Sequence, residues 1–168
     1  SDISLLSLLS QNSNTPILSD FSKLPLKNNT IQNCISNAAL QWSPDLTRSF
    51  QEINRVLKKD SLICISIMGP DHFKELETAT QISGSSFVSP IQKHSITAIE
   101  ELIKKFNWSI ISCQKNELTT QFESLIQLLR HFRNTGVRAN RKEKFPFKAY
   151  TKNWPKSDSK SLFPLSWS

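Results

Sequence analysis

The sequence predicts an α/β protein whose central sheet is open and mostly parallel, and three observations support this. The run Leu62–Met68, LICISIM, is apolar throughout, as in a parallel strand that is buried on both faces. Thr30–Ser36 has a fair strand pattern of its own. Between them lies an amphipathic helix, whose apolar residues recur at helical spacing: Leu46, Phe50, Ile53 and Leu57.

The remaining elements follow from local signals. Pro25 has no amide hydrogen and cannot sit inside a helix, so it belongs to a loop. The carboxylate of Asp45 favours a helix N-terminus. In chain order, the elements predicted up to Gly69-Pro70 are a helix at Leu5–Asn12, a strand at Pro16–Ser19, the Pro25 loop, the strand at Thr30–Ser36, the helix from Asp45 to a turn at Lys58–Ser61, and the strand at Leu62–Met68.

The second half of the chain continues the alternation. Ser95–Phe106 and Phe122–Phe132 both carry apolar residues at helical spacing. Trp108–Ser112 is predicted to be a strand, whose register continues toward Leu118. Residues 141–160 are polar and basic with little periodicity, which predicts a flexible connection.

Composition limits the function classes. The chain has 168 residues, 38% hydrophobic and 21% charged, which suits one soluble globular domain. No apolar run approaches the roughly 20 residues of a membrane-spanning helix. Ser1–Ser10 has no basic region typical of a secretory leader. We therefore expect a cytoplasmic protein that does not insert into a membrane.

The net charge is +7, and much of the positive charge lies within Arg130–Lys160. A solvated basic face explains this simply, and an acidic protein partner is the alternative. No nucleic-acid-binding motif accompanies the charge, so we expect no nucleic acid partner. Cys34, Cys64 and Cys113 lie in apolar, strand-like runs with no metal-ligand spacing, which predicts buried reduced thiols and no bound metal.

Polar and aromatic side chains follow the predicted strands. In an open parallel sheet, the ligand crevice lies beyond the carboxyl ends of the strands. The sequence therefore predicts that a small group of residues crowds one edge of the sheet: Asp20, Phe21, Ser36, Asn37 and Trp42.

An ordered set of phrases makes this more specific. Asp20 is followed by LPL at 24–26, ISNAALQW at 35–42, PDLTRSFQEINRVLKKDS at 44–61 and ISIMGPDHFKEL at 65–76. The set resembles the class I S-adenosyl-L-methionine (SAM) methyltransferases, and among them the malonyl-acyl carrier protein O-methyltransferases of biotin synthesis. The resemblance implies a Rossmann-like fold, with a mostly parallel sheet and helices on both faces. Leu162–Trp167 resembles the last strand of that family.

The resemblance also implies a cofactor site for SAM. Asp2, beside Ile3, matches the acidic residue that accepts bonds from the ribose hydroxyls, although it could equally cap the helix that follows. Asp20 matches the acceptor of the adenine amino group, and Phe21 supplies a backbone amide near the ring. Ser36 and Asn37 would face the sulfonium.

The implied acceptor is the free carboxylate of malonyl-acyl carrier protein, and no catalytic base is needed for it. The candidate substrate-binding residues are Trp42, Gly69, Arg133 and Arg138, with lid or cap segments at 70–94 and 119–140. Trp42 could instead simply pack, and solvated surface positions are the alternative for both arginines.

The sequence departs from the family at its start. The first strand and the glycine-rich turn that wraps the methionine part of SAM have no counterpart, and the chain's three glycines are Gly69, Gly84 and Gly136. We therefore expect an N-terminally truncated version of the fold. Two other functions stay open: an inert binding or assembly module, and a methyltransferase-like assembly factor of respiratory complexes that hydroxylates arginine.

Overall fold

The computed structural model describes residues 15–84, 91–134, 147–155 and 163–167. The chain divides into two compact units, Ser1–Ile65 and Ser66–Ser168. The predicted helix at Leu5–Asn12 lies outside the described residues. The described elements are β1 (Ile31–Asn37), α1 (Leu46–Val56), β2 (Leu57–Ser66), α2 (Lys74–Ile82), α3 (Ile96–Lys105), β3 (Leu118–Phe122), α4 (Leu125–Asn134), α5 (Phe147–Asn153) and β4 (Phe163–Trp167).

Helix α1 forms where the sequence predicts it. The Asp45 carboxylate caps it by accepting a hydrogen bond from the Arg48 amide at 3.0 Å. Its apolar stripe is buried, and the Phe50 side chain has 0% exposure. Truncating such a buried aromatic side chain to alanine typically costs about 3–5 kcal/mol. The helix therefore gains most of its stability from this packed face.

Strands β1 and β2 are neighbours in one sheet, and α1 connects them. The Thr30 amide donates to the Val56 carbonyl at 2.9 Å, and farther along both strands the Leu62 amide donates to Asn33 Oδ1 at 3.3 Å. These contacts advance in the same direction along both strands, as a β–α–β connection requires. The β1 prediction is confirmed with a shift of one residue.

The second strand differs from its prediction in extent and in burial. It begins at Leu57, so Lys58–Ser61 belong to the strand rather than to a turn, and it ends at Ser66. Leu62 is 55% exposed and Ile35 on β1 is 80% exposed. Among the described residues this sheet has two strands, and burial of β2 on both faces is not observed.

The strand predicted at Pro16–Ser19 is not observed either. These residues have no regular structure, and Ile17 and Leu18 are exposed. An extended segment becomes a strand only when its backbone groups pair with a neighbour. In the described part of the chain, pairing here is limited to an isolated bridge between Asp20 and Lys23.

The second unit contains a two-stranded antiparallel sheet. Strand β3 pairs with β4 in a register that runs from Leu118 opposite Trp167 to Phe122 opposite Phe163. The prediction of a final strand at Leu162–Trp167 is thus confirmed. The strand predicted at Trp108–Ser112 is wrong, because β4 pairs with LTTQF at 118–122 and leaves 108–117 without regular structure.

In the second unit, α2 and α4 pack against this sheet and α5 packs against α2, whereas α3 has no buried residue. Helix α3 lies within the predicted Ser95–Phe106 segment, whereas α4 begins at Leu125 because Phe122 belongs to β3. Helix α5 falls inside 141–160, where we expected a flexible connection. The core residues are Phe73, Leu76, Ala79, Ile91, Phe122, Leu125, Leu128, Phe132, Tyr150, Trp154, Phe163 and Leu165.

The described cysteines are less buried than their apolar surroundings predict. Cys64 and Cys113 are exposed, the first on β2 and the second in the irregular 108–117 segment. Cys34 on β1 is half-buried, and burial raises the pKa of its thiol. In the described part of the chain, the helices do not reach the length and hydrophobicity that a membrane span requires.

Candidate functional site

Asp20 lies in a tight turn of the first unit. Its Oδ1 accepts hydrogen bonds from the Ser22 amide at 2.7 Å and from the Ser22 hydroxyl at 2.6 Å. These two bonds lower the pKa of the Asp20 carboxyl, with a smaller contribution from the positive charge of Arg48. The Asp20 carbonyl accepts from the Lys23 amide at 3.1 Å. The turn therefore presents an ionised, exposed carboxylate whose orientation is fixed locally.

Two aromatic side chains of the first unit are partly open to solvent. Phe21 follows Asp20 in the same turn and is 37% exposed. Trp42 is 41% exposed and ends a single turn of 3-10 helix that begins at Leu40. An aromatic face that stays in water offers a stacking surface for a flat ring.

The carboxyl end of β1 has an unusual backbone. Ser36 is half-buried and Asn37 is exposed. Ala38 then adopts φ 46°, which lies in the left-handed region that alanine rarely enters. The Gln41 Nε2 donates to the Ala38 carbonyl at 2.6 Å and holds this bend. Strain of this kind often marks a functional site, and no sequence pattern indicated it.

Glu52 and Arg55 of α1 form a pair that sequence analysis missed. Arg55 Nε donates to Glu52 Oε1 at 2.8 Å, and Arg55 Nη2 donates to Glu52 Oε2 at 2.7 Å. Mainly through this contact, Arg55 lowers the pKa of Glu52 to about 2. Both residues also form hydrogen bonds with the backbone of Leu24, in the loop that follows Asp20. Their spacing of three residues on a helix was the one available signal.

The predicted substrate residues are divided between the units. Trp42 lies in the first unit, and Gly69 lies in the second, where its carbonyl accepts from the His72 amide at 3.3 Å. Arg133 is exposed on α4. Arg138 lies outside the described residues, as do Asp2 and Ile3 of the predicted cofactor site.

His72 is buried rather than presented to solvent. Its side chain is 1% exposed, and its ring lies 3.8 Å from that of Phe73, centroid to centroid. Burial, with a smaller contribution from the positive charge of Lys93, lowers the pKa of His72 to about 4. The imidazole is therefore neutral at physiological pH and part of a packed core.

The donor set of the first unit suits the adenosine part of a nucleoside cofactor. Both Ser22 bonds use Oδ1 of Asp20, so Oδ2 can accept from an exocyclic amine. Phe21 and Trp42 offer aromatic surface, and Ser36 and Asn37 offer a hydroxyl and an amide at the strand end. All of these residues lie in the first unit, together with the strained Ala38.

Known proteins resemble both parts of this chain. A family model described as "Methyltransferase domain" matches residues 2–65, almost the extent of the first unit. The malonyl-[acyl-carrier protein] O-methyltransferase of Methylovorus sp. (strain MP688) is 33% identical over 127 residues, which is 72% of this chain and 40% of that protein. The chain thus spans less than half the length of this curated relative.

Two further matches concern a different activity and the fold. The human mitochondrial arginine-hydroxylase NDUFAF5 is 23% identical over 125 residues, 71% of this chain and 36% of that protein. The crystal structure of the YcgJ protein from Bacillus subtilis superimposes with a TM-score of 0.63 at 13% identity, covering 98% of this chain and 73% of that one. The structural match shows the Rossmann-like fold. The chain is therefore similar to a methyltransferase domain over residues 2–65, and its fold is that of its structural neighbour.

Proposed function

We propose that this chain is part of an enzyme that transfers a methyl group from SAM to the free carboxylate of malonyl-acyl carrier protein, in the synthesis of the biotin precursor. The observation that carries the proposal is the length of the 33% identical alignment. It covers 127 residues, whereas the family model ends at residue 65. The likeness to a malonyl-acyl carrier protein enzyme therefore extends well into the second unit.

In this proposal the first unit binds the cofactor. Asp20 accepts a hydrogen bond from the adenine amino group, and Phe21 contributes its backbone amide near the ring. Ser36 and Asn37 lie toward the sulfonium. The ionised carboxylate of Asp20 and the exposure of Phe21 support these roles. Asp2 and Ile3 complete the predicted site on the ribose side.

The proposed methyl transfer needs no general acid or base. The bound cofactor supplies an electrophilic methyl group. A malonyl carboxylate is ionised at neutral pH, so the residues of this chain need remove no proton. Their task is to align the acceptor and to exclude water. Arg133 or Arg138 can pair with the carboxylate through two parallel hydrogen bonds, and Trp42 and Gly69 are the other proposed substrate contacts. The buried, neutral His72 is not required.

A transfer assay tests the proposal. Malonyl-acyl carrier protein and acetyl-acyl carrier protein are incubated with SAM that carries a labelled methyl group. We expect label on the malonyl substrate and none on the acetyl one, which lacks the free carboxylate. Malonyl-coenzyme A, as a third substrate, shows whether the carrier protein itself is recognised. Failure to methylate either malonyl substrate, by this chain and by a chain extended with any native residues that precede it, would contradict the proposal.

Arginine hydroxylation is the second candidate, and the 23% identity to NDUFAF5 over 125 residues favours it. It predicts a gain of one oxygen on an arginine of a protein substrate, which mass spectrometry detects. An inert assembly module is the third candidate. It predicts that neither this chain nor a chain extended with any native residues that precede it binds S-adenosylhomocysteine in a calorimetric titration.

A further inference from the structure

We infer that Glu52 and Arg55 are positioning residues of the cofactor site, which fix the backbone of Leu24 and through it the Asp20 turn. The inference rests on the proposed function, because Asp20 matters here as the residue that accepts from the adenine amine. Neither side chain needs to contact the cofactor.

The pair holds both polar backbone groups of Leu24. Glu52 Oε2 accepts from the Leu24 amide at 2.9 Å, and Arg55 Nη2 donates to the Leu24 carbonyl at 2.9 Å. The two side chains are themselves joined by parallel hydrogen bonds of 2.8 and 2.7 Å. A planar guanidinium and a carboxylate paired in this way form a rigid unit. Leu24 is thus fixed to a helix rather than to another loop.

The same guanidinium holds the rest of the loop. Arg55 Nη1 donates to the Leu26 carbonyl at 2.8 Å and to Asn28 Oδ1 at 2.7 Å. The Arg55 carbonyl also accepts from the Asn29 amide at 3.0 Å. One residue at the end of α1 therefore fixes the path of the chain from Leu24 to the start of β1.

Asp20 is close enough in sequence to depend on this anchor. Its turn closes through the bond between the Asp20 carbonyl and the Lys23 amide, and Leu24 comes next. Pro25 restricts the conformations available to Leu24. If Leu24 moves, the whole Asp20 turn is expected to move with it. The two hydrogen bonds from Ser22 orient the Asp20 carboxylate only relative to the turn itself.

A role in global stability alone does not account for the arrangement. The side chains of Arg55 and Glu52 are 31% and 18% exposed, and partly exposed ion pairs stabilise proteins only modestly. The bonds concentrate instead on the backbone of one loop. Arginine is required for this, because a lysine ammonium keeps the charge but cannot reach the pair and several loop acceptors in one plane.

The test compares Arg55→Lys and Glu52→Gln with the unmodified chain and with Gln51→Ala, an exposed position on the same helix. S-adenosylhomocysteine binding is measured by calorimetry about 15 °C below the Tm of each variant, where every variant is folded. We expect roughly tenfold weaker binding for the first two variants and no change for Gln51→Ala. Unchanged affinity in both Arg55→Lys and Glu52→Gln would overturn the inference.

A second measurement needs no cofactor. Lys23 and Lys27 are exposed within the anchored loop, and trypsin cleaves after lysine. We expect Arg55→Lys and Glu52→Gln to be cleaved there faster than the unmodified chain and Gln51→Ala. Equal cleavage rates overturn the anchoring. If the unmodified chain binds no S-adenosylhomocysteine, the proposed function is in question, and the cleavage rates still decide whether the pair anchors the loop.

Discussion

Glu75 of α2 accepts two hydrogen bonds from Ser166 of β4, one from its amide at 2.8 Å and one from its hydroxyl at 2.5 Å. Both residues are buried, Glu75 at 6% exposure and Ser166 at 7%. The Ser166 carbonyl in turn accepts from the Phe73 amide at 2.9 Å, at the start of α2. This one residue of β4 therefore ties the last described strand to the N-terminus of a helix far away in sequence.

Replacing Glu75 with alanine is expected to destabilise the protein strongly. The change leaves the buried amide and hydroxyl of Ser166 without their acceptor, and such losses cost about 2–4 kcal/mol together. Chemical denaturation measures the free energy of unfolding. Lys74→Ala on the same helix is the control, because the Lys74 side chain is exposed, and this change should cost less than about 0.5 kcal/mol. Equal effects of the two changes would contradict this assignment.

The buried His72 predicts a loss of stability in mild acid. Its pKa is about 4 in the folded protein and 6.5 in the unfolded chain. Below pH 6.5 the unfolded state binds a proton that the folded state does not, so the free energy of unfolding falls as the pH drops toward 4. The expected loss is on the order of 3 kcal/mol. Denaturation at a series of pH values should show this slope, and His72→Gln should flatten it.

Glu52 predicts a second loss of stability, at lower pH. Its folded pKa of about 2 lies below the ordinary value of 4.5, so its contribution is complete above pH 4.5 and disappears as the pH falls toward 2. Cleavage of the 24–28 loop by an acid protease should therefore accelerate below pH 4 in the unmodified chain. The Glu52→Gln variant should be cleaved quickly throughout. A parallel pH dependence in both proteins would argue against the ion pair as the anchor.

Tyr150 tests whether residues 147–155 belong to the folded core. Its side chain has 0% exposure, and its hydroxyl lies 2.7 Å from the Thr80 hydroxyl on α2. Tyr150→Ala should cost about 3–5 kcal/mol, as buried aromatic truncations do. Lys148→Ala, at an exposed position of α5, should change the stability by less than about 0.5 kcal/mol. Similar unfolding curves for these two variants would place α5 outside the core.

Asp20→Ala tests the proposed cofactor site directly. Loss of the acceptor for the adenine amine should weaken S-adenosylhomocysteine binding by roughly tenfold or more, measured by calorimetry. Ser22→Ala is the matched control within the turn, because it removes one bond that orients the carboxylate but keeps the acceptor. We expect an intermediate affinity for it. Unchanged affinity in Asp20→Ala would remove Asp20 from the site.

Local patterns were sufficient for part of the fold. Helix α1 was predictable because its cap, Asp45, and its apolar stripe are written into neighbouring residues. Strand β3 was not, because LTTQF becomes a strand only by pairing with Phe163–Trp167, far along the chain. The sequence instead favoured the more apolar Trp108–Ser112, which forms no strand in the described structure.

Helix α5 was not predicted from the sequence, because the segment around it is rich in basic residues. Its lysines dominate the composition of the segment, but they occupy the exposed side. Tyr150 and Trp154, four residues apart, are the buried signal, and the Trp154 Nε1 donates to the Pro164 carbonyl at 2.9 Å. A basic stretch with two aromatic residues at helical spacing can therefore be a core helix with a solvated face.

The candidate site divides along similar lines. Asp20, Phe21, Ser36, Asn37 and Trp42 were predictable from the family phrases, and their roles stay predictions. The bonds from Glu52 and Arg55 to the 24–28 loop were not, because they join residues about thirty positions apart, and no short motif encodes such a contact. The left-handed backbone conformation of Ala38 could not be predicted from the sequence either, since alanine has no preference for it.

The position of β4 has a consequence for synthesis on the ribosome. Strand β4 is translated after all the other described elements of the second unit. The core contacts of Phe163 and Leu165 and the hydrogen bonds of Ser166 can therefore form only at the end of synthesis of this unit. Because translation proceeds at about 5–20 residues per second, the apolar faces of the helices in the second unit stay exposed for several seconds. The first unit ends at Ile65 and is complete long before that. A nascent chain paused before β4 should therefore be a good chaperone substrate.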